Sequence, residues 1–383
     1  MKKTIQAQLF ALLRAGLWNT PVPAGMTFNR DTDWNAILVL ARQQTILGLV
    51  ANAIFHLSES QQPEQELLLK LTAQVSAIAK THAVLNDTLV KVATLLEDNG
   101  IVPVLLKGQG VAALYPEPTL RMCGDIDLYV GKQNYTRACH LLMELPETDS
   151  EHTETIKHFH TKLNGVTIEL HRIVEQLYNP WQNRRFQRWS EANMSETYTD
   201  AVEFDRMEVH VPSYCVNAVY IFNHLWHHFL TGGIGLRQLC DWVMVLHTAK
   251  EVLDLPELEK YLKGFGLWEP WRTFGCIAVN HLGLSEKEFP FYDANKQKQA
   301  ERILDRILRE GNFGQYLTAR DNRPDGIIRG KLHSLRHISR RTAEMATLIS
   351  PRCAAEYYVH FLIHGIAALP DALLGRCTTL YGS

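Results

Sequence analysis

Apolar residues recur at three- and four-residue spacing through two stretches near the start of the chain, Trp34 to Phe55 and Gln65 to Leu96. In the second, Leu68, Leu71, Val75 and Ile78 lead into Leu85, Leu89, Val92 and Leu95, which predicts a helix with one buried stripe. Asn99-Gly100 closes it, because both residues tolerate the left-handed conformation of a helix C-terminus. The opening MKKTIQAQLFALLRAGLW starts on two lysines as a secretory leader does. Gln6, Gln8 and Arg14 interrupt its apolar run and no small-residue cleavage site follows, so an amphipathic helix is expected there.

After residue 100 the period changes. Ile101 to Leu106 is short, β-branched and apolar, which suits a strand buried on both faces, and Lys107-Gly108 breaks it. A helix over Gln109 to Tyr115, a loop at Pro116 and Pro118, a strand over Asp125 to Val130 and a helix over 132–145 follow. Ile156 to Leu163 and Val166 to Val174 flank Asn164-Gly165, the signature of a type I′ hairpin. A second hairpin is expected at Asp205-Arg206, between VEF and MEVHV. From Pro212 helices return, over 214–230, 234–249, 256–265, 268–281, 294–309 and 334–374. The pattern predicts an α+β protein in which a mixed sheet core is embedded in a largely helical body. The expected division is a helical region over 1–99, an α/β core over 100–212 and a helical domain over 213–383.

Composition narrows the function classes. Apolar residues make up 46% and charged residues 21%, as in an ordinary globular chain. With 39 Lys and Arg against 41 Asp and Glu, a net charge of −2 gives no overall field for holding DNA or RNA, so an anion site must be local. Seven scattered cysteines with no C-x-x-C pair fit neither a disulfide framework nor a zinc knuckle, and a cytoplasmic setting is expected. No uncharged apolar run approaches the length that spans a bilayer.

The strongest chemical signal is Gly124-Asp125-Ile126-Asp127-Leu128-Tyr129-Val130. Strand alternation projects Asp125 and Asp127 to one side and sends Ile126, Leu128 and Val130 into the core. Paired carboxylates repel one another unless a divalent cation such as Mg²⁺ lies between them; the bland alternative is a solvated strand face. Two further elements favour the metal. Lys107-Gly108, ending a buried strand, is the kind of turn that can hold a phosphate. Glu169 and His171 share a face of VTIELH, so a strand there beside Asp125 to Val130 would bring Glu169 in as a third carboxylate.

LLKGQGVAALYPEPTLRMCGDIDLYV followed by VTIELHR resembles the nucleotidyltransferase superfamily that includes DNA polymerase β. More narrowly it resembles an uncharacterised branch in which the Gly-Ser turn reads Lys-Gly and a His follows the third acid by two residues. VPSYCVNAVYIFNHLWHHF and GIGLRQLCDWVMVL resemble the helical segment of that branch, so the likeness covers roughly residues 85 to 250. It implies a polymerase-β-type mixed sheet and Mg²⁺-dependent transfer of a nucleoside monophosphate from an NTP to a small molecule, a glycan precursor or a protein side chain. It further implies that Asp125, Asp127 and Glu169 are catalytic and hold two Mg²⁺ ions, with Glu169 binding the metal that activates the acceptor hydroxyl or also serving as that hydroxyl's base. Gln109 replaces the usual phosphate-binding Ser, which leaves triphosphate contact to Lys107, Gly108 or Arg121. Rival readings are a catalytically silent binding or regulatory member of the fold and a metal-dependent phosphohydrolase.

Other polar groups admit two readings each. Arg121, in the loop entering the Asp125 strand, either grips phosphate through both guanidinium arms or is a surface arginine or a structural partner of Asp125. His171 either orients Glu169, meets substrate, or is a packed core histidine. His224 and His228 lie four apart, as do Arg237 and Asp241. Without an H-E-x-x-H or His-Asp pair, a zinc site is disfavoured; Arg237 pairing with Asp241 is expected instead, with His224 and Arg237 as candidate substrate contacts. Residues 320–352 hold eight Lys or Arg against Asp321, Asp325 and Glu344, and an apolar, aromatic stretch follows. Contact of 320–374 with a membrane surface or an acidic partner competes there with a solvated face plus a C-terminal helix that completes the core, which is favoured.

Overall fold

The computed structural model describes residues 3–195, 199–314 and 327–367. Its strands are β1 (Val104–Leu105), β2 (Asp125–Tyr129), β3 (Thr153–Glu154), β4 (His158–Leu163), β5 (Val166–His171), β6 (Thr199–Phe204) and β7 (Met207–Pro212). They form one mixed sheet of order β3-β4-β5-β2-β1-β7-β6. β2 runs parallel to β5 and β1 parallel to β7, while the β4-β5 and β6-β7 hairpins are antiparallel. Both hairpin loops carry the positive φ values their sequences predict, at Asn164 and Gly165 (50° and 80°) and at Asp205 and Arg206 (45° and 70°).

The described residues also form fourteen α-helices: α1 (Lys3–Trp18), α2 (Trp34–Gln43), α3 (Leu47–Phe55), α4 (Gln65–Asp98), α5 (Gln109–Ala112), α6 (Gly131–Met143), α7 (Pro180–Asn193), α8 (Tyr214–Thr231), α9 (Leu236–Ala249), α10 (Leu255–Gly264), α11 (Trp268–Asn280), α12 (Gln297–Glu310), α13 (Ile327–Leu348) and α14 (Pro351–Ala367). The α+β class expected from the sequence is the one observed. Strand alternation splits the apolar residues into two cores. On one sheet face Ile126, Leu128, Phe159, Ile168 and Leu170 pack with Leu85, Leu89, Val92 and Leu96 of α4 and with Leu142 of α6. A larger core joins α1–α3 to α8, α9, α11 and α12 around Trp242, Trp271, Phe222 and Phe229. The polar side chains of β2, β4 and β5 therefore face the helical body.

Several elements differ from expectation. The strand over Ile101 to Leu106 shortens to two residues, since Pro103 has no N–H to give a ladder. Trp34 to Phe55 is two helices, because Thr45 takes a left-handed φ of 53°. Beside it Gln44 is fully buried, its amide donating to Ile307 O (3.1 Å) and accepting from Leu236 N (3.1 Å). The helix expected over 334–374 is α13 and α14, and 368–374 lie outside the described residues. Helix α7 had no counterpart in the sequence reading.

Nor is the basic segment one solvated face. Arg320, Arg323 and their neighbours through 326 lie outside the described residues, but Arg341 is buried. Its guanidinium donates to Leu230 O (2.8 Å) and Phe229 O, carbonyls in the last turn of α8, where a cation complements the helix dipole. Among the described residues no helix is long and apolar enough to cross a membrane.

Candidate active site

β2 and β5 pair in parallel with Asp127 opposite Glu169 and Tyr129 opposite His171. Period-two alternation thereby puts Asp125, Asp127, Glu169 and His171 on one face. An oxygen from each of the three carboxylates lies within 4.8 Å of the other two. Asp127 is fully buried and its Oδ1 receives both Lys107 Nζ (2.9 Å) and His171 Nε2 (2.9 Å). Its Oδ2 is buried with no hydrogen-bond partner. His171 Nε2 also lies 3.2 Å from Glu169 Oε2.

The electrostatics separate the acids. Repulsion from Asp127, reinforced by burial, raises the Asp125 carboxyl above its usual range. Burial would raise Asp127 as well, but Lys107 and His171 outweigh it and hold Asp127 well below the carboxylate range. Burial acts on Glu169 in the same sense and is overcome by the His171 hydrogen bond, so Glu169 is lowered. His171 is raised, its hydrogen bonds to Asp127 and Glu169 outweighing its burial. Lys107 is likewise held well above its usual value, burial notwithstanding, by Asp127, Tyr220, Asp125 and Glu169. An orphaned carboxylate oxygen among three converging acids fits a hard divalent cation, whose preferred ligands are oxygens.

Gly108 closes the turn after β1 at φ 56°, ψ −119°, a region open essentially to glycine. A Cβ there would meet Asp125 O at 3.2 Å, so the turn lies against the start of the acidic strand. Gln109 is completely buried, and neither atom of its amide has a partner.

A family described as "Uncharacterised nucleotidyltransferase" matches residues 30–282. The chain belongs to that family. Among solved structures, one titled as an antigenic nucleotidyltransferase-like protein from Paracoccidioides brasiliensis is 14% identical, with 53% of this chain and 92% of that chain aligned at a TM-score of 0.30. No curated protein matches the chain.

In this family member Arg121 is buried, and its guanidinium is committed neither to a phosphate position nor to Asp125. Its Nε and Nη2 hold the two oxygens of Asp241 (2.7 and 2.8 Å), and Tyr115 Oη donates to the same carboxylate (2.7 Å). All three residues are buried. The expected Arg237–Asp241 pair is therefore replaced by Arg121–Asp241, which pins the loop before β2 to α9. Arg237 donates instead to Met122 O (2.6 Å), leaves Nε without a partner, and acts on Asp125 by its charge.

His224 faces a group the sequence reading missed. Glu175, 1% exposed, lies just beyond β5 and meets Lys157 Nζ (3.0 Å) and His224 Nδ1 (3.2 Å) through Oε2. Its Oε1 lies 3.9 Å from His227 Nδ1. Burial would raise Glu175, yet Lys157, His227 and His224 hold it well below its usual value. Burial and the nearby Lys107 push His224 down to about 3, so its imidazole is neutral. This family member thus carries a second buried cluster around Glu175, and the charge of Lys107 couples it to the first. The HR-I-V-E spacing was the available signal for it, but its partners, in the turn before β4 and on α8, lie on other elements that no local pattern brings together.

Proposed function

We propose that the protein transfers a nucleoside monophosphate from an NTP to an acceptor, with Asp125, Asp127 and Glu169 holding two Mg²⁺ ions. The observation that carries this reading is the convergence of the three carboxylates around the partnerless Oδ2 of buried Asp127. Bound there, Mg²⁺ supplies Lewis-acid polarisation of phosphoryl oxygen and offsets charge on the attacking and leaving oxygens.

The chain's own groups divide the remaining work. Lys107 and Arg237 bring positive charge beside the acids, where a triphosphate needs it. Gly108 lets the backbone approach a phosphate with no side chain between. His171 spans Asp127 and Glu169 and fixes their spacing. Glu169, lowered and anionic at neutral pH, suits a metal ligand better than a general base, which works best with a pKa near the operating pH. Family membership supports the nucleotidyl-transfer chemistry. Near-neutral net charge favours a small or compact acceptor over a long nucleic acid.

Calorimetric titration with each NTP, with and without Mg²⁺, tests the reading on the wild type and on Glu169→Gln. Mg²⁺-dependent binding that weakens at least tenfold in the variant is expected. NTP binding of equal strength in both proteins and without Mg²⁺ would contradict it.

A further inference from the structure

Glu169 also belongs to a second group of candidate ligands, two imidazoles beside its carboxylate. The β4-β5 hairpin places His158 directly opposite His171, with ring centroids 5.0 Å apart. His158 Nδ1 lies 3.5 Å from Glu169 Oε2 without making a hydrogen bond, and His171 Nε2 lies 3.2 Å from the same oxygen. One atom from each of the three side chains lies within 4.8 Å of the other two. His171 is fully buried, and its Nδ1 has no partner either. Two imidazoles thus converge on one carboxylate oxygen, both carried on paired strands that hold their spacing.

We propose that His158, Glu169 and His171 form a separate binding site for a first-row transition-metal ion, sharing Glu169 with the acidic trio. The donor set discriminates between the two ions. Mg²⁺ prefers carboxylate and water oxygens and gains little from imidazole, whereas two imidazoles and one carboxylate are the ligands of Zn²⁺, Co²⁺ and Fe²⁺ sites. Three protein ligands leave coordination positions for water, as in open rather than closed sites. The two sites cannot both have free use of Glu169, and a metal on His171 Nε2 removes its hydrogen bond to Asp127. A transition ion bound here therefore opposes Mg²⁺ at Asp125 and Asp127. That inhibitory consequence rests on the proposed function; the binding itself does not.

Co²⁺, whose visible absorption reports its ligands, is the probe, titrated into the metal-free full-length protein beside a separate Mg²⁺ titration. Wild type is expected to bind one Co²⁺. His158→Ala should weaken Co²⁺ at least tenfold and leave Mg²⁺ affinity as it was, which also shows that the variant is folded. Asp125→Asn should do the reverse. His158→Gln, close in size but without the imidazole, serves if the alanine variant folds poorly and should behave like it. No Co²⁺ binding by the wild type, or Co²⁺ binding by the folded His158 variants equal to wild type, would overturn the proposal. So would loss of Co²⁺ in Asp125→Asn equal to that in the His158 variants, since it would place the ion on the acidic trio. A protein that binds Co²⁺ through His158 yet transfers no nucleotide would leave this site standing and sink only the proposed function.

Discussion

Lys107 Nζ lies 2.9 Å from Asp127 Oδ1, an ammonium 15% exposed against a carboxylate that is fully buried. The pair joins the turn after β1 to the centre of β2 and places a positive charge where a cation would also bind. A phosphate-binding role for Lys107 cannot then be separated from the acids, as its sequence position alone suggests.

Lys107→Met is accordingly expected to act with opposite signs on two ligands. Mg²⁺ alone should bind more tightly, because a competing positive charge has gone. Mg·NTP should bind more weakly by the worth of a charge-assisted contact, about 1.5–3 kcal/mol, or roughly ten- to a hundredfold. Parallel calorimetric titrations check both, and equal changes in the same direction would show that Lys107 serves only the fold.

Arg121→Met should destabilise the protein while leaving nucleotide binding alone. Removing one partner of a buried ion pair leaves the other charge uncompensated, at a cost of about 3–5 kcal/mol. Asp241 would be that charge, with Tyr115 as its remaining partner. Urea unfolding measures the loss. A large fall in Mg·NTP affinity in the folded variant would return Arg121 to the phosphate site.

Gly108→Ala puts a side chain at φ 56° and sets its Cβ 3.2 Å from Asp125 O. Strain of this kind is of order 1–3 kcal/mol. Because the clash is with the first residue of β2, Mg²⁺ affinity should fall along with stability. Thermal unfolding and Mg²⁺ titration together test this, and a variant unchanged in both would mean the turn tolerates ordinary residues.

Glu175 supplies a pH dependence. Its folded pKa lies well below the usual value, so its contribution is fully present above the unfolded pKa of about 4.5 and is lost as pH falls toward the folded value. Glu175→Gln should lower stability at pH 7 by about 3–5 kcal/mol through unpaired Lys157, and the gap to wild type should narrow below about pH 4.5. Denaturant unfolding across pH 3–7 measures it; a gap constant over that range would mean that folding does not lower the Glu175 pKa.

What the sequence made legible was local. Asn164-Gly165 and Asp205-Arg206 marked their hairpins through backbone preference, and the period of two in DIDLYV and VTIELH showed which acids share a face. Helix α7 was missed because its polar run PWQNRRFQRWSEAN has no clean apolar stripe. Asn179 before Pro180 was the signal to use, and the Asn179 side chain does cap Trp181 N and Gln182 N. The break at Thr45 and the Arg121–Asp241 pair depend on partners more than a hundred residues away, which no local pattern carries. His158 went unnoticed for the same reason on a smaller scale: only the β4-β5 register sets it opposite His171.

The fate of the α-phosphate tests the central claim most directly. Wild type and Asp127→Asn would each be incubated with Mg²⁺, α-labelled NTPs and a panel of sugar phosphates, glycan precursors and protein acceptors, and label and pyrophosphate followed together. The account predicts Mg²⁺-dependent label on an acceptor with one pyrophosphate released per label, both lost in Asp127→Asn. Free nucleoside monophosphate or inorganic phosphate released without any acceptor, or label transfer that persists in Asp127→Asn, would contradict it.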